Sequence, residues 1–449
     1  MKTTICGYEP TEKLYESPSS LVYRTREKKG RPPTILKILK PEYASAEEPA
    51  RYRREYDLAR SLSDEGIIQV YGLESDSGRP VLLVEDFGGR SLDYWLKERT
   101  FSPQECLTLA IRITEGLGLV HGADIIHKDI NPSNIVWNPQ TGQVKIIDFG
   151  IATRLARETA TFRGPEELEG TPAYLSPEQT GRMNRLVDYH TDFYSLGTTL
   201  YELLTDQRPF AGEDALALVH AHIAKMPPAP HQLNPEIPEA VSMIVMKLLA
   251  KNAEDRYQSA AGLEHDLSRC MTTLKETGGV EVFEPGLMDF STRFQVPQKL
   301  YGRKKETAQL LAAFDEIVQG VSKLFLVAGY SGVGKTVLVR EVHKPITGKR
   351  GYFIEGKFDQ FQRNIPYFAW GQAFNGMMNQ LLMESEDSLA AWKARILEAV
   401  GRNGRVLTDV VPNLELVIGP QPDVPELGGV ETQNRFNYVF QNFIKVMAQ

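Results

Sequence analysis

The sequence predicts an α+β unit built from two lobes, followed by an α/β unit. Short β-rich segments dominate residues 8–84, and helical patterns dominate residues 102–270. A glycine-rich GxxxxGKT motif at residues 329–336 then follows an apolar run. At 449 residues the chain is too long for one ordinary domain, so two or three separate cores are expected.

The first lobe is predicted to be mainly β with one helix. Strand-like runs occur at residues 21–23, 35–39, 67–73 and 81–84, and a turn-like segment at 28–31 separates the first two. A helical pattern runs from Glu47 to Leu62. The sequence therefore places one helix beside a small sheet.

The second lobe is predicted to be mostly helical. Ser102 and Glu105 form a capping box with Pro103 at the first helical position. Residues 191–204 and 241–249 have the pattern of buried helices. A weakly patterned segment from Met271 to Leu300 predicts a change of domain.

The last part of the chain is predicted to be an incomplete α/β domain. Leu324 to Ala328 forms a continuous apolar run, which predicts a strand. No convincing acidic strand follows, because Val406 to Asp409 is short and Thr408 interrupts it; Asp409 is expected in a loop or cap. An amphipathic helix with Phe436 and Phe440 meets the chain end without a stop signal, so we expect a truncated chain.

Composition narrows the function classes. The chain is 42% hydrophobic and 24% charged with a formal net charge of −7, which indicates a globular protein and argues against bulk nucleic-acid binding. Three widely separated cysteines fit a reducing compartment, and no signal peptide or membrane-spanning run is present. A cytoplasmic protein without membrane insertion is expected. His220 and His222 lack further metal ligands and are expected at the surface.

The most informative motif is HKDINPSN at residues 127–134, followed by Asp148-Phe149-Gly150. Phosphoryl transfer needs a carboxylate facing the attacking hydroxyl and oxygen ligands for Mg²⁺. Asp129 fits the base, and Asn134 and Asp148 fit the metal ligands. His127 is expected to be structural, because a carboxylate acceptor lies two residues away.

In order and spacing, residues 8–270 resemble a protein kinase. The resemblance implies that ATP is the phosphoryl donor and that Lys37 pairs with its phosphates. It also implies that Glu55 is the partner of Lys37, and that Val22 and Glu85 contribute to the nucleotide site. Thr171 in the GTPAY stretch is a further match, and it indicates serine or threonine acceptors. Asp192 and Gly197 match the family residues that lie beneath the loop at residues 127–134. Glu178 and Arg256 match a family ion pair and are expected to contact each other.

Three departures from the kinase pattern keep a second hypothesis open. The three glycines of the phosphate-covering loop correspond to Tyr15, Ser17 and Ser20, and the catalytic-loop arginine to Lys128. Asn131 replaces a lysine expected near the transferring phosphoryl group. The alternative is a pseudokinase interaction module regulated by a nucleotide-switched domain.

The GxxxxGKT motif predicts a second ATP site. Backbone amides near Gly329, Gly332 and Gly334 would cradle phosphate, Lys335 would reach the β and γ oxygens, and Thr336 would ligate Mg²⁺. Without the acidic strand, which is expected beyond Gln449, hydrolysis by this domain is an open question.

Tyr301-Gly302-Arg303 resembles the entry of STAND-type AAA ATPases. The rest of this part of the chain, including residues 356–370 and 412–428, is similar to bacterial, cyanobacterial-type multi-sensor serine/threonine kinases. That resemblance implies a kinase domain at 1–270, a linker at 271–296, the N-terminal part of an ATPase domain at 297–449, and further C-terminal signalling domains. Expected partners are ATP and protein substrates, which can include the chain itself. The sequence identifies neither the substrate, the stimulus nor the oligomeric state.

Overall fold

The computed structural model describes residues 4–17, 19–26, 32–40, 47–62, 64–155, 169–180, 187–212, 215–290, 302–330, 334–340, 346, 351–358, 367–382, 386–425 and 428–448. The chain divides into two compact units, with the change near residue 302. Each unit has its own apolar core.

The first unit begins with a five-stranded antiparallel sheet in the order β1-β2-β3-β5-β4. Its strands are β1 (Pro10–Glu16), β2 (Ser20–Thr25), β3 (Thr34–Leu39), β4 (Val70–Asp76) and β5 (Arg79–Glu85). Ser77 and Gly78 both have positive φ, which suits the tight hairpin between β4 and β5.

Alternation along β3 explains how the sheet presents two faces. Leu36 and Ile38 are buried with Val81 on one face. Leu39 and Leu82 pack on Tyr52 of helix α1 (Glu47–Ser61). The predicted helix beside a small sheet is thus formed.

The second lobe is helical, as predicted, around two short β-ladders. Its helices are α2 (Leu92–Glu98), α3 (Pro103–Gly122), α4 (His190–Thr205), α5 (Ala215–Ala224), α6 (Pro230–Leu233), α7 (Glu239–Leu248) and α8 (Ala260–Thr277). Its strands are β6 (Arg90–Ser91), β7 (Ile125–Ile126), β8 (Ile135–Trp137), β9 (Val144–Ile146) and β10 (Thr153–Arg154). The Ser102–Glu105 capping box forms, with reciprocal distances of 3.0 and 3.3 Å.

The second unit contains α9 (Lys304–Val318), α10 (Lys335–Arg340), α11 (Phe368–Leu381), α12 (Glu386–Val400), α13 (Gly404–Thr408), α14 (Leu414–Ile418) and α15 (Gly429–Met447). The predicted amphipathic helix is α15, which buries Phe436 and Phe440. Asp409 caps α13, as expected, and its carboxylate lies 3.3 Å from Arg405 Nε.

Two expectations are wrong within the described residues. Leu324 to Ala328 is not a strand; Leu324 is 87% exposed and Leu326 82%, because no described segment of this unit pairs with them. His222 is fully buried rather than at the surface, since α5 packs against α4 and its imidazole Nδ1 meets the Tyr194 hydroxyl at 3.0 Å. Burial lowers the pKa of His222 to about 3.

Candidate active site

Lys37, Glu55 and Asp148 come together between the two lobes. Lys37 projects from β3, and its Nζ lies 2.9 Å from both carboxylate oxygens of Glu55 on α1. The same Nζ lies 2.9 Å from Asp148 Oδ2. One ammonium therefore joins the sheet, α1 and the segment after β9.

Charge and burial act against each other in this cluster. Burial lowers the pKa of Lys37, but the carboxylates of Asp148 and Glu55 raise it by more, so the ammonium stays charged. Burial acts to raise the pKa of Asp148, but the interactions with Lys37, Arg51 and the backbone of Gly150 together outweigh burial and lower the pKa to about 2. Burial raises the pKa of Glu55 to about 7, against the opposing effect of Lys37.

Residues 127–134, which we call the catalytic loop, are held by Asp192 near the start of α4. Its carboxylate accepts hydrogen bonds from the backbone amides of His127 and Lys128 at 2.9 and 2.8 Å, and lies 2.9 Å from His121 Nε2. Lys128 adopts φ 69°, a costly left-handed conformation for a non-glycine residue. The buried acceptor compensates for this strain, and the chain turns so that Asp129 can enter the cleft.

Asp129 is fixed by three donors on its two carboxylate oxygens. Its Oδ1 accepts from both the backbone nitrogen and the hydroxyl of Thr171, each at 2.9 Å. Its Oδ2 accepts from Asn134 Nδ2 at 2.8 Å. Since this amide nitrogen is committed to Asp129, the oxygen is the atom of Asn134 left to face a cation.

His127 lies beneath this loop and faces inward. Its Nε2 is 3.0 Å from the carbonyl oxygen of Ile147, and its ring packs edge-on against Phe149 at 4.9 Å between centroids. Asp148, directly before Phe149, has φ 65°. This buried edge-on contact anchors Phe149, the residue directly after Asp148.

Glu178 and Arg256 form the predicted pair. Their side chains are 1% and 0% exposed, and the two guanidinium nitrogens lie 2.6 and 2.9 Å from the two carboxylate oxygens. Arg256 also donates to the carbonyl oxygen of His190, the first residue of α4, and to two carbonyl oxygens after α7. This pair fastens the segment after Thr171 to the core of the helical lobe.

The segment that was expected to cover the phosphates lacks glycines, and Ser17 and Ser20 hydrogen-bond to each other across it. Ser17 N donates to the Ser20 carbonyl at 2.9 Å, and the two hydroxyls lie 2.8 Å apart. Tyr15 at the end of β1 is 52% exposed. Serine hydroxyls thus close this turn between β1 and β2.

Val22 and Glu85, the two other candidates for the nucleotide site, lie on different strands and have different surroundings. Val22 lies on β2 directly opposite Lys37. Glu85 ends β5, and its carboxylate is occupied by Lys145 Nζ and by the backbone nitrogen of Gln69, each at 2.6 Å. Sequence reasoning missed Lys145, whose only signal was a cation between apolar residues in a short strand.

The glycine-rich motif of the second unit is partly described. Gly334 has φ 88°, a conformation that favours glycine. Lys335 Nζ donates to the carbonyl oxygens of Gly329 and Tyr330 at 2.9 and 2.7 Å. Gly332 and the side chain of Thr336 lie outside the described residues.

Comparison with known proteins agrees with this geometry. The protein kinase domain model matches residues 8–268, and the AAA ATPase domain model matches residues 299–449. The hybrid signal transduction histidine kinase G of Dictyostelium discoideum is 31% identical over 432 residues, covering 76% of this chain. A probable serine/threonine-protein kinase of Streptomyces coelicolor is 37% identical over 49% of the chain, and the serine/threonine-protein kinase PrkC of Bacillus subtilis 34% over 52%.

The chain belongs to the protein kinase family. Its residues 8–268 form a serine/threonine protein kinase domain, which implies ATP as a substrate, and a region of AAA ATPase type follows. These comparisons do not favour the pseudokinase alternative. The chain spans 12%, 33% and 35% of the lengths of the three relatives. Among the described helices, none is both long and apolar enough to cross a membrane.

Proposed function

We propose that this chain transfers the γ-phosphoryl group of ATP to serine or threonine hydroxyls of proteins in a signalling pathway. The observation that carries the proposal is the joint placement of Lys37, Glu55 and Asp148 in the cleft, with Asp129 held by three donors nearby. The substrate protein can be the chain itself.

In the proposed reaction, the acceptor hydroxyl oxygen attacks the γ-phosphorus of ATP, and the bond to the bridging oxygen breaks. The hydroxyl proton passes to the Asp129 carboxylate, and ADP leaves with the electron pair of the broken bond. Lys37, oriented by Glu55, would hold the α and β phosphates. Val22 and Glu85 would border the nucleotide.

Asn134 and Asp148 supply the oxygen donors that suit Mg²⁺, which prefers carboxylate and amide oxygens together with phosphates. The amide nitrogen of Asn134 is committed to Asp129, and Asp148 is ionised above about pH 2. Both groups therefore fit the ion. When bound, Mg²⁺ would neutralise charge on the phosphate oxygens.

For the second unit we propose a separate ATP site at Gly329, Gly332, Gly334, Lys335 and Thr336, with Thr336 as a further Mg²⁺ ligand. We further propose a STAND-type switch in a cytoplasmic, multi-sensor signalling protein of cyanobacterial type, with further C-terminal domains. The proposed division is a kinase domain at 1–270, a linker at 271–296 and the ATPase domain at 297–449. The motif geometry around Lys335 supports the nucleotide site.

The test is transfer of label from γ-labelled ATP to a generic protein and to the chain itself, with and without Mg²⁺. Asp129→Asn should lower the rate by about 10²- to 10⁴-fold, the typical contribution of a general base. ATP binding should stay nearly intact, because the substitution deletes no phosphate contact.

Asp57→Asn is the matched control, since it neutralises an exposed carboxylate on α1 of the same unit. It should transfer at the wild-type rate. Undiminished transfer by folded Asp129→Asn protein would remove Asp129 from the role of base, and a wild type that transfers nothing would refute the kinase proposal.

A further inference from the structure

The side chain of Asn131 lies two residues beyond Asp129 and is 2% exposed. Its Nδ2 donates to the Thr171 hydroxyl at 3.1 Å and to the Asp129 carbonyl at 3.2 Å. Its Oδ1 accepts from the backbone nitrogen of Ser133 at 2.9 Å. Because Ser133 N is a donor, the amide orientation is determined: the oxygen faces Ser133 and the nitrogen faces Thr171.

This orientation determines where the hydroxyl hydrogen of Thr171 points. An amide nitrogen can only donate, so Thr171 Oγ1 accepts from Asn131 and its own hydrogen is free to donate. The acceptor in reach is Asp129 Oδ1, at 2.9 Å. With the backbone nitrogen of Thr171 also on Oδ1, that oxygen receives two hydrogen bonds.

The other carboxylate oxygen of Asp129 accepts fewer hydrogen bonds. Oδ2 accepts one hydrogen bond, from Asn134 at 2.8 Å. Each carboxylate oxygen has room for about two donors. Oδ2 is therefore the oxygen that can still accept a proton from an incoming hydroxyl.

We propose that Asn131 is a positioning residue for phosphoryl transfer: through the Thr171 hydroxyl it saturates Asp129 Oδ1 and turns Oδ2 toward the acceptor. This inference rests on the proposed kinase function. It gives the residue that stands in place of the expected lysine a role in orienting the base, since its nitrogen is directed at Thr171.

The experiment measures kcat and the KM for ATP of the 449-residue chain. Asn131→Ala should lower kcat about 3- to 10-fold, the worth of one neutral hydrogen bond, with KM for ATP unchanged. Thr171→Val should lower kcat at least as much, whereas Thr171→Ser, which keeps the hydroxyl, should retain most of it.

The double variant separates positioning from general damage. Because Asn131 acts through the Thr171 hydroxyl, Asn131→Ala with Thr171→Val should lower kcat no further than Thr171→Val alone. Should Asn131→Ala fail to fold, Asn131→Asp replaces it, since its carboxylate still caps Ser133 N but cannot donate to Thr171. Asn234→Ala is the matched control; Asn234 closes a similar turn on Glu236 at 3.0 Å.

Full kcat in folded Asn131→Ala or Asn131→Asp protein, or losses that multiply in the double variant, would overturn this inference and leave the kinase function standing. A wild type without transfer would overturn the kinase function and this inference together.

Discussion

Removing Arg256 should destabilise the first unit more than any exposed ion pair could. In Arg256→Met the Glu178 carboxylate loses both guanidinium bonds, at 2.6 and 2.9 Å, in a site where its side chain is 1% exposed. The Thr191 hydroxyl, 2.9 Å away, is a neutral donor that cannot replace a cation. Breaking a buried pair on one side costs about 3–5 kcal/mol.

The structure also predicts an order among the variants. Arg256→Met combined with Glu178→Gln should be more stable than Arg256→Met alone, because it removes the buried carboxylate charge that has lost the guanidinium. Arg256→Lys should lie between, since it keeps the charge but loses the planar, two-pronged contact. Arg112→Met is the matched control: it breaks an exposed pair with Glu115 and should cost less than about 1 kcal/mol.

The assay is native-state hydrogen exchange of the α4 amides in the full chain under rising urea, which reports on the first unit alone. In a thermal scan, a loss of about 3–5 kcal/mol corresponds to a Tm lower by roughly 6–20 °C for a domain of this size. A loss below about 1 kcal/mol for Arg256→Met, or a double variant as unstable as the single one, would refute the argument from buried charge.

Two further predictions concern the nucleotide sites. Because the pKa of Glu55 is raised to about 7, it takes up a proton as the pH falls through 7 and Lys37 loses a charged partner, so phosphoryl transfer should decline on the acid side. Glu55→Gln should be slow at every pH and lack this limb; an unchanged limb would contradict the assignment. Lys335→Ala should abolish one of two ATP-binding events seen by calorimetry while retaining kinase activity. If the wild type binds ATP at a single site, and either Lys335→Ala or Asp148→Asn alone abolishes that binding, the two sites are not separate.

Ordered motifs predicted long-range pairs correctly, whereas local patterns predicted β2 to β5 but failed at residues 324–328. The pairs Lys37–Glu55 and Glu178–Arg256 are formed, although 18 and 78 residues separate their members. A motif set predicts such long-range contacts because it reflects the whole fold. The apolar run at residues 324–328 predicted a strand from local pattern alone, but a strand also requires a pairing partner, and no described segment supplies one.

The roles of Asn131 and Lys145 lay beyond sequence reasoning for a different reason. Asn131 could be recognised only as a missing cation, since the sequence does not show that its amide meets Thr171, 40 residues away. Lys145 faces Glu85 across 60 residues. Single side-chain contacts between distant segments depend on rotamers, which spacing does not determine.

Two ion pairs hold the connection between the two lobes of the first unit. It lies between the end of β5 at Glu85 and the start of β6, and it is held from both sides. Lys145 of β9 forms an ion pair with Glu85. Arg24 of β2 donates from two guanidinium nitrogens to the two carboxylate oxygens of Asp86, at 2.6 and 3.2 Å. The pair with Lys145 is almost buried, so salt screens it less than a surface pair. Because the pair of Lys145 and Glu85 joins β9 of the helical lobe to the end of β5, it favours the lobe orientation in which Lys37 meets the carboxylate after β9.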